Sequence, residues 1–151
     1  MAEEKVTRRN EDLLEVIYEI SEEKGYAKSR DIAAALSITP ATVTDGFKKL
    51  QDAGLVNYEP YGGVTLTEDG RNIAERTRQS HLVIRNLLEL AGVESEIADH
   101  DACIMEHGLS PESYEKILNV VTFIEECCKD PAIKKQFDKM VRNSSSSKSR
   151  K

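Results

Sequence analysis

Apolar residues recur every three or four positions along most of the chain, which predicts a mainly helical protein. Leu13, Leu14, Val16, Ile17 and Ile20 mark a first helix over 10–24, stopped by Gly25. Ser29 is a good cap for a second helix, with Ile32, Ala33 and Leu36 as its buried face. After the short break Ser37-Ile38-Thr39, Thr39 caps a third helix that begins with Pro40, where a missing N–H costs nothing. Val43, Phe47, Leu50 and Leu55 continue the stripe as far as Gly54. Gly46 stands inside this helix at a propensity cost on the order of 1 kcal/mol, and the pattern offers no reason for it.

The period then changes. Residues 55–58 and 64–66 read as short strands on either side of Glu59-Pro60-Tyr61-Gly62-Gly63, where Gly-Gly signals a hairpin. Thr67 caps a fourth helix, with Glu68 and Asp69 in the first turn, where the helix dipole favours acids. Ile73, Ala74, Leu82, Leu87 and Leu88 carry this helix to about Leu90; Gly92 ends it, and Gly70 is a mild objection to its start. A shorter helix over 94–107 ends at Gly108. Ser110-Pro111 repeats the cap-plus-proline start and opens a helix to about Cys128, with Ile117, Val120, Val121 and Ile124 inside. A last helix after Pro131 carries Ile133, Phe137, Met140 and Val141, and the Ser/Lys segment 143–151 is expected to be disordered.

Helix, helix, tight turn, helix, hairpin is the order of a winged helix-turn-helix. In that arrangement the third helix enters the major groove of DNA and the hairpin touches the neighbouring backbone. Ala33 is small where two helices would cross, Ile38 fills the turn from inside, and Val43 holds the third helix down. The candidate DNA contacts are then Thr39, Thr42, Thr44, Asp45, Lys48 and Lys49. Hydroxyls bond phosphates or base edges, and lysines supply point charges for phosphate. Asp45 repels phosphate but accepts from a cytosine amino group, which suits specificity rather than affinity. The same pattern also serves as a plain packing motif in helical bundles and protein-binding modules.

Composition narrows the choice. With 151 residues, 39% hydrophobic and 32% charged, the chain is globular, one large domain or two small ones. No apolar run approaches the roughly 18 residues of a membrane span, and the start MAEEKVTRRN lacks the apolar core of a signal peptide. Three cysteines, two of them adjacent, make a poor disulfide framework, so the expected compartment is the cytoplasm. The net charge of −6 hides a split: residues 129–151 hold eight basic and two acidic side chains, a net of +6, which leaves −12 on residues 1–128. Phosphate would repel so acidic a body unless its basic groups cluster or a bound cation cancels part of the charge.

The segment Asp99-His100-Asp101-Ala102-Cys103-Ile104-Met105-Glu106-His107 offers such a cation a place. Cys103, Glu106 and His107 stand at i, i+3 and i+4 on one helix face, with Asp99 a turn earlier. Thiolate, carboxylate and imidazole together suit a divalent transition metal. A buried cysteine beside a solvated Glu–His pair accounts for the same spacing. Asp12 and Glu15 are offset from the apolar stripe of the first helix, and His81 lies in the fourth. Meeting at one place, these groups would join the DNA-reading half to the rest.

With both halves in view, the chain resembles the DtxR/MntR family of metal-dependent transcriptional repressors from about Glu11 to Lys129. The marks are EDLLEVIYEI, ITPATVTDGFKKL, YGGVTLTEDG and DACIMEHGLS. The length resembles the short branch without an appended SH3-like domain. The resemblance implies a winged helix-turn-helix over 1–71 and a helical metal-binding and dimerisation domain over 72–143; composition adds a disordered basic tail over 144–151. The resemblance also implies metal ligands at Asp12, Glu15, His81, Cys103, Glu106 and His107. They would form two neighbouring sites, one of Asp12, Cys103, Glu106 and His107, the other of Glu15, His81, Cys103 and Glu106. It further implies a homodimer through the helix 110–128, binding a palindromic double-stranded operator and controlling iron or manganese homeostasis.

The chain departs from the family pattern in three places. Manganese responders carry a carboxylate at the position of Cys103, whereas iron responders pair that cysteine with a first-helix methionine. Here Cys103 goes with Asp12 and Glu15. Arg85 stands where the family often has a carboxylate, and Asp99 where the iron branch has a histidine; an arginine there disfavours a second cation. A thiolate favours the later, softer first-row ion, so Fe2+ is the expected effector, with Mn2+ second and Zn2+, Co2+ or Ni2+ binding in vitro. Without metal the carboxylates and the Cys103 thiolate repel; with it they are drawn together. HExxH, P-loop, GxSxG and paired CxxC motifs are missing, so neither an enzyme nor a small-molecule substrate is expected. The alternative is a winged-helix regulator that answers a non-metal signal, a thiol-based redox sensor being one variant.

Overall fold

The computed structural model describes residues 6–146 and divides into two compact units, Met1–Arg78 and Gln79–Lys151. The division falls inside a long helix, further along the chain than the boundary at 71 that the sequence suggests.

The first unit runs α1 (Arg8–Lys24), α2 (Ser29–Ala35), α3 (Pro40–Asp52), β1 (Val56–Glu59) and β2 (Gly63–Leu66), then the first turns of α4 (Glu68–Leu90). α1 stops where Gly25 takes φ 80° and its N–H bonds the Ser21 carbonyl. Thr39 caps α3, its Oγ1 accepting from the Thr42 N–H at 3.2 Å with Pro40 next in line. Ser29, by contrast, is the first helical residue of α2 and not its cap. Extended Lys28 holds the cap position without a side-chain bond, because its ammonium has no acceptor to offer a backbone N–H.

β1 and β2 form an antiparallel hairpin in the register Val56↔Leu66 to Glu59↔Gly63. Two backbone bonds between Ala27 and Val64 tie this hairpin to the α1–α2 connection. Leu13, Leu14, Ile17, Ile32, Ala33, Val43, Phe47, Leu50, Val56, Val64 and Ala74 make one core, with Ile38 packed against it. The Phe47 and Tyr58 rings meet at 5.2 Å between centroids. Three helices and a hairpin on one core constitute the expected winged helix-turn-helix.

The start of α4 follows its predicted chemistry. Thr67 Oγ1 accepts from the Gly70 N–H at 3.2 Å and donates to the Gly54 carbonyl at 2.8 Å. The second unit comprises the rest of α4, α5 (Ser95–Glu106), α6 (Pro111–Cys127) and α7 (Pro131–Ser146). Ser110 caps α6 through the Ser113 N–H, and Ile84, Ala98, Ala102 and Val121 are buried.

Two expectations change here. Val120, placed inside α6 by periodicity, is 53% exposed, because Val121 takes the inward position and adjacent residues on a helix point in different directions. α7 extends to Ser146, into the segment expected to be disordered. No Gly or Pro interrupts it there, and propagation adds one hydrogen bond per residue. Residues 147–151 lie outside the described residues. No helix among the described residues is long and apolar enough to cross a membrane.

Candidate metal centre and nucleic-acid interface

Glu106 anchors the candidate metal centre. Its side chain, in the last turn of α5, is only 1% exposed. Its two oxygens face different imidazoles: Oε2 lies 2.8 Å from His81 Nδ1 on α4, and Oε1 lies 3.3 Å from His107 Nε2. A buried carboxylate is costly unless it is paired and hydrogen-bonded, and two imidazoles meet that need. A ligand atom of Cys103 comes within 4.8 Å of one of His107, so one side of α5 presents thiol, carboxylate and imidazole together. The second unit therefore gathers four of the six sequence candidates, His81, Cys103, Glu106 and His107. Asp12 and Glu15 are half-buried on α1 of the first unit. His100 is exposed.

His81 is clasped between two acids. Its Nε2 is 3.0 Å from Asp99 Oδ1, and its Nδ1 faces Glu106. Burial pulls its pKa down, but the Asp99 hydrogen bond and the Glu106 charge together outweigh that and hold it above the ordinary histidine value. Arg85 Nη1 bonds the same Asp99 oxygen at 3.3 Å. The positive charge that sequence reading placed near the second site is thus paired with Asp99. Cys103, Cys127 and Cys128 are all half-buried.

A metal fits this donor set. One carboxylate, two imidazoles and a thiol are the groups from which four-coordinate and larger transition-metal spheres are made.

The candidate nucleic-acid interface lies on the outer side of α3. Asp45, Lys48 and Lys49 are exposed there, and Thr39 is exposed at its start. Thr42 and Thr44 are half-buried and locally engaged: the Thr39 and Thr42 hydroxyls bond each other at 2.9 Å, and Thr44 Oγ1 donates to the Pro40 carbonyl at 3.0 Å. Their oxygens retain acceptor capacity, while the lysines are the outward donors. Sequence reasoning missed Tyr61 at the hairpin tip, fully exposed and at φ 71°. A positive φ is uncommon for so bulky a residue. The only advance signal was an aromatic in a loop beside Gly62-Gly63.

Comparisons with known proteins agree with both halves. The family model for the iron dependent repressor N-terminal DNA binding domain matches residues 5–64. The model for the iron dependent repressor metal binding and dimerisation domain matches residues 67–135. The HTH-type transcriptional regulator MntR of Lysinibacillus sphaericus is 40% identical over 116 residues, 77% of this chain and 84% of that protein. Among solved structures, the T. acidophilum IdeR is 29% identical with a TM-score of 0.64, over 72% of this chain and 52% of that one. The manganese regulator SloR is 26% identical with a TM-score of 0.67, over 76% of this chain and 54% of that one. This chain spans about half of each of those two structures. With its DNA-binding and metal-binding halves both matched, the chain belongs to the DtxR/MntR family of iron dependent repressors, which are metal-dependent transcriptional regulators and not enzymes.

Proposed function

We propose that this protein represses transcription when a divalent metal, Fe2+ ahead of Mn2+, binds at Glu106. The observation that carries the reading is a buried carboxylate with an imidazole at each oxygen and Cys103 on the same helix. The proposed ligand set is Asp12, Glu15, His81, Cys103, Glu106 and His107. A bound divalent ion supplies the positive charge that lets these anionic groups stand together.

Among the relatives, both iron and manganese appear by name, in the family model and in SloR respectively. The Cys103 thiolate tips the choice towards iron, because soft ligands bind the later first-row ion more tightly. Affinity order differs from biological choice, so Zn2+, Co2+ and Ni2+ also bind in vitro.

Family regulators bind operator DNA as dimers, and this chain carries the same dimerisation domain. Lys48 and Lys49 anchor α3 on phosphate, Thr39, Thr42 and Thr44 offer acceptor oxygens, and Asp45 selects among bases. Two such helices on a two-fold dimer read a palindrome. The cytoplasm, where operators are found, is its place of action. Shifting such a switch from about 1% to 99% active takes roughly 5.5 kcal/mol of preferential metal binding.

Anaerobic titration of the apo-protein with Fe2+ and with Mn2+, followed by operator binding, tests the reading. Activation at lower free Fe2+ supports it. Activation by Mn2+ at lower free metal reverses the choice of ion, and operator binding indifferent to both ions overturns metal control.

A further inference from the structure

His81 has two ring nitrogens and a different carboxylate at each. A neutral imidazole carries a single N–H, so which carboxylate accepts it decides which nitrogen keeps a lone pair. Glu106, at Nδ1, is buried in the candidate metal centre; Asp99, at Nε2, is 55% exposed. Asp99 is also held from its other side. Arg85 Nη1 donates to the same Oδ1 at 3.3 Å, and Arg85 Nε donates to Glu89 Oε1 at 3.2 Å. Ser95 Oγ, at the start of α5, donates to that same Glu89 oxygen at 2.7 Å. The side chains Ser95, Glu89, Arg85, Asp99, His81 and Glu106 therefore form one continuous chain of polar contacts between α4 and α5. A planar guanidinium spanning two carboxylates fixes direction as well as charge.

We propose that in the metal-loaded protein Asp99, held by Arg85, is a positioning residue that accepts the Nε2–H of His81 and so leaves the Nδ1 lone pair, on the Glu106 side, to the metal. The inference rests on the metal-site reading above. A carboxylate behind a ligating histidine sets the ring's tautomer and orientation and raises its basicity. Asp99 is suited to that task and not to ligation, because its Oδ1 already shares the Arg85 guanidinium, whose positive charge opposes a cation at the same oxygen. The arginine that departs from the family pattern thereby acquires a role: it makes Asp99 an orienting group.

The test uses the full chain with Co2+ as probe, read by calorimetric titration and by long-range 1H–15N spectra of the histidine rings. Asp99→Ala should lower Co2+ affinity roughly ten- to a hundredfold and abolish the preference for the Nε2–H tautomer of His81. Asp99→Asn keeps an acceptor oxygen and should recover most of both signals, while Arg85→Ala should lose less, in the same direction. The number of ions per protomer should stay the same in all three. Asp99→Ala with unchanged affinity and tautomer overturns the proposal, as does a loss of one bound ion, which would make Asp99 a ligand. His81→Ala separates the two levels of inference. If it too leaves Co2+ affinity unchanged, the metal-site reading fails; if it weakens binding while Asp99→Ala does not, only the positioning role fails.

Discussion

A β-carbon on Gly70 would stand 1.9 Å from the Leu55 carbonyl oxygen. That carbonyl accepts the Thr67 N–H at 3.0 Å, so it has no freedom to retreat. Gly70→Ala should therefore destabilise the protein by about 3 kcal/mol, at the upper end of overpacking penalties. Urea unfolding at unchanged m-value would measure this. Gly46, unexplained by the sequence pattern, has a softer version of the same reason: its β-carbon would meet Leu13 Cδ1 at 2.4 Å. Leu13 is buried, but a side-chain end moves more readily than a backbone carbonyl. Glu89 gives a pH-dependent case. The Ser95 hydroxyl and Arg85 both donate to its carboxylate and hold its pKa below the ordinary value. A depressed carboxylate stabilises the fold above its unfolded pKa and loses that contribution as pH falls through the folded one. Ser95→Ala should raise the Glu89 pKa towards the ordinary range, as carboxyl NMR titration would show.

Helix starts were readable from the sequence because capping is local chemistry. Thr39, Thr67 and Ser110 each accept a backbone N–H three residues on, at 3.2 Å in all three cases. Ser110→Ala should cost about 1 kcal/mol and fray the first turn of α6, which hydrogen exchange at the first amides of that helix would detect. The face shared by Cys103, Glu106 and His107 was readable for the same reason, since spacing along one helix fixes it. What spacing cannot fix is how two helices cross. The Arg85–Asp99 and His81–Asp99 contacts span separations of 14 and 18 residues, and no periodic pattern marks them in advance. Periodicity also misassigned Val120, because α6 carries apolar residues on more than one side. Val121 faces the core, while Val120 and Phe123, three residues apart and so neighbours on the helix surface, are 53% and 70% exposed.

At the scale of the whole molecule those exposed apolar side chains on α6 are where a two-fold partner would bury area, as the predicted dimer helix 110–128 requires. Burying a phenylalanine is worth about 1.5–3 kcal/mol relative to leaving it in water, and a two-fold interface counts each such residue twice. Phe123→Asp replaces that gain with two desolvated like charges facing a symmetric copy. Sedimentation should then show a monomer where the unmodified protein is a dimer. Operator affinity should fall by about two orders of magnitude or more, because the second reading head loses its millimolar effective concentration. Co2+ binding should survive, since Phe123 offers no ligand atom and its side chain is exposed. A Phe123→Asp protein that remains dimeric would place the interface on another surface. One that becomes monomeric yet binds operator undiminished would show that a single α3 suffices, and that metal control acts within one chain.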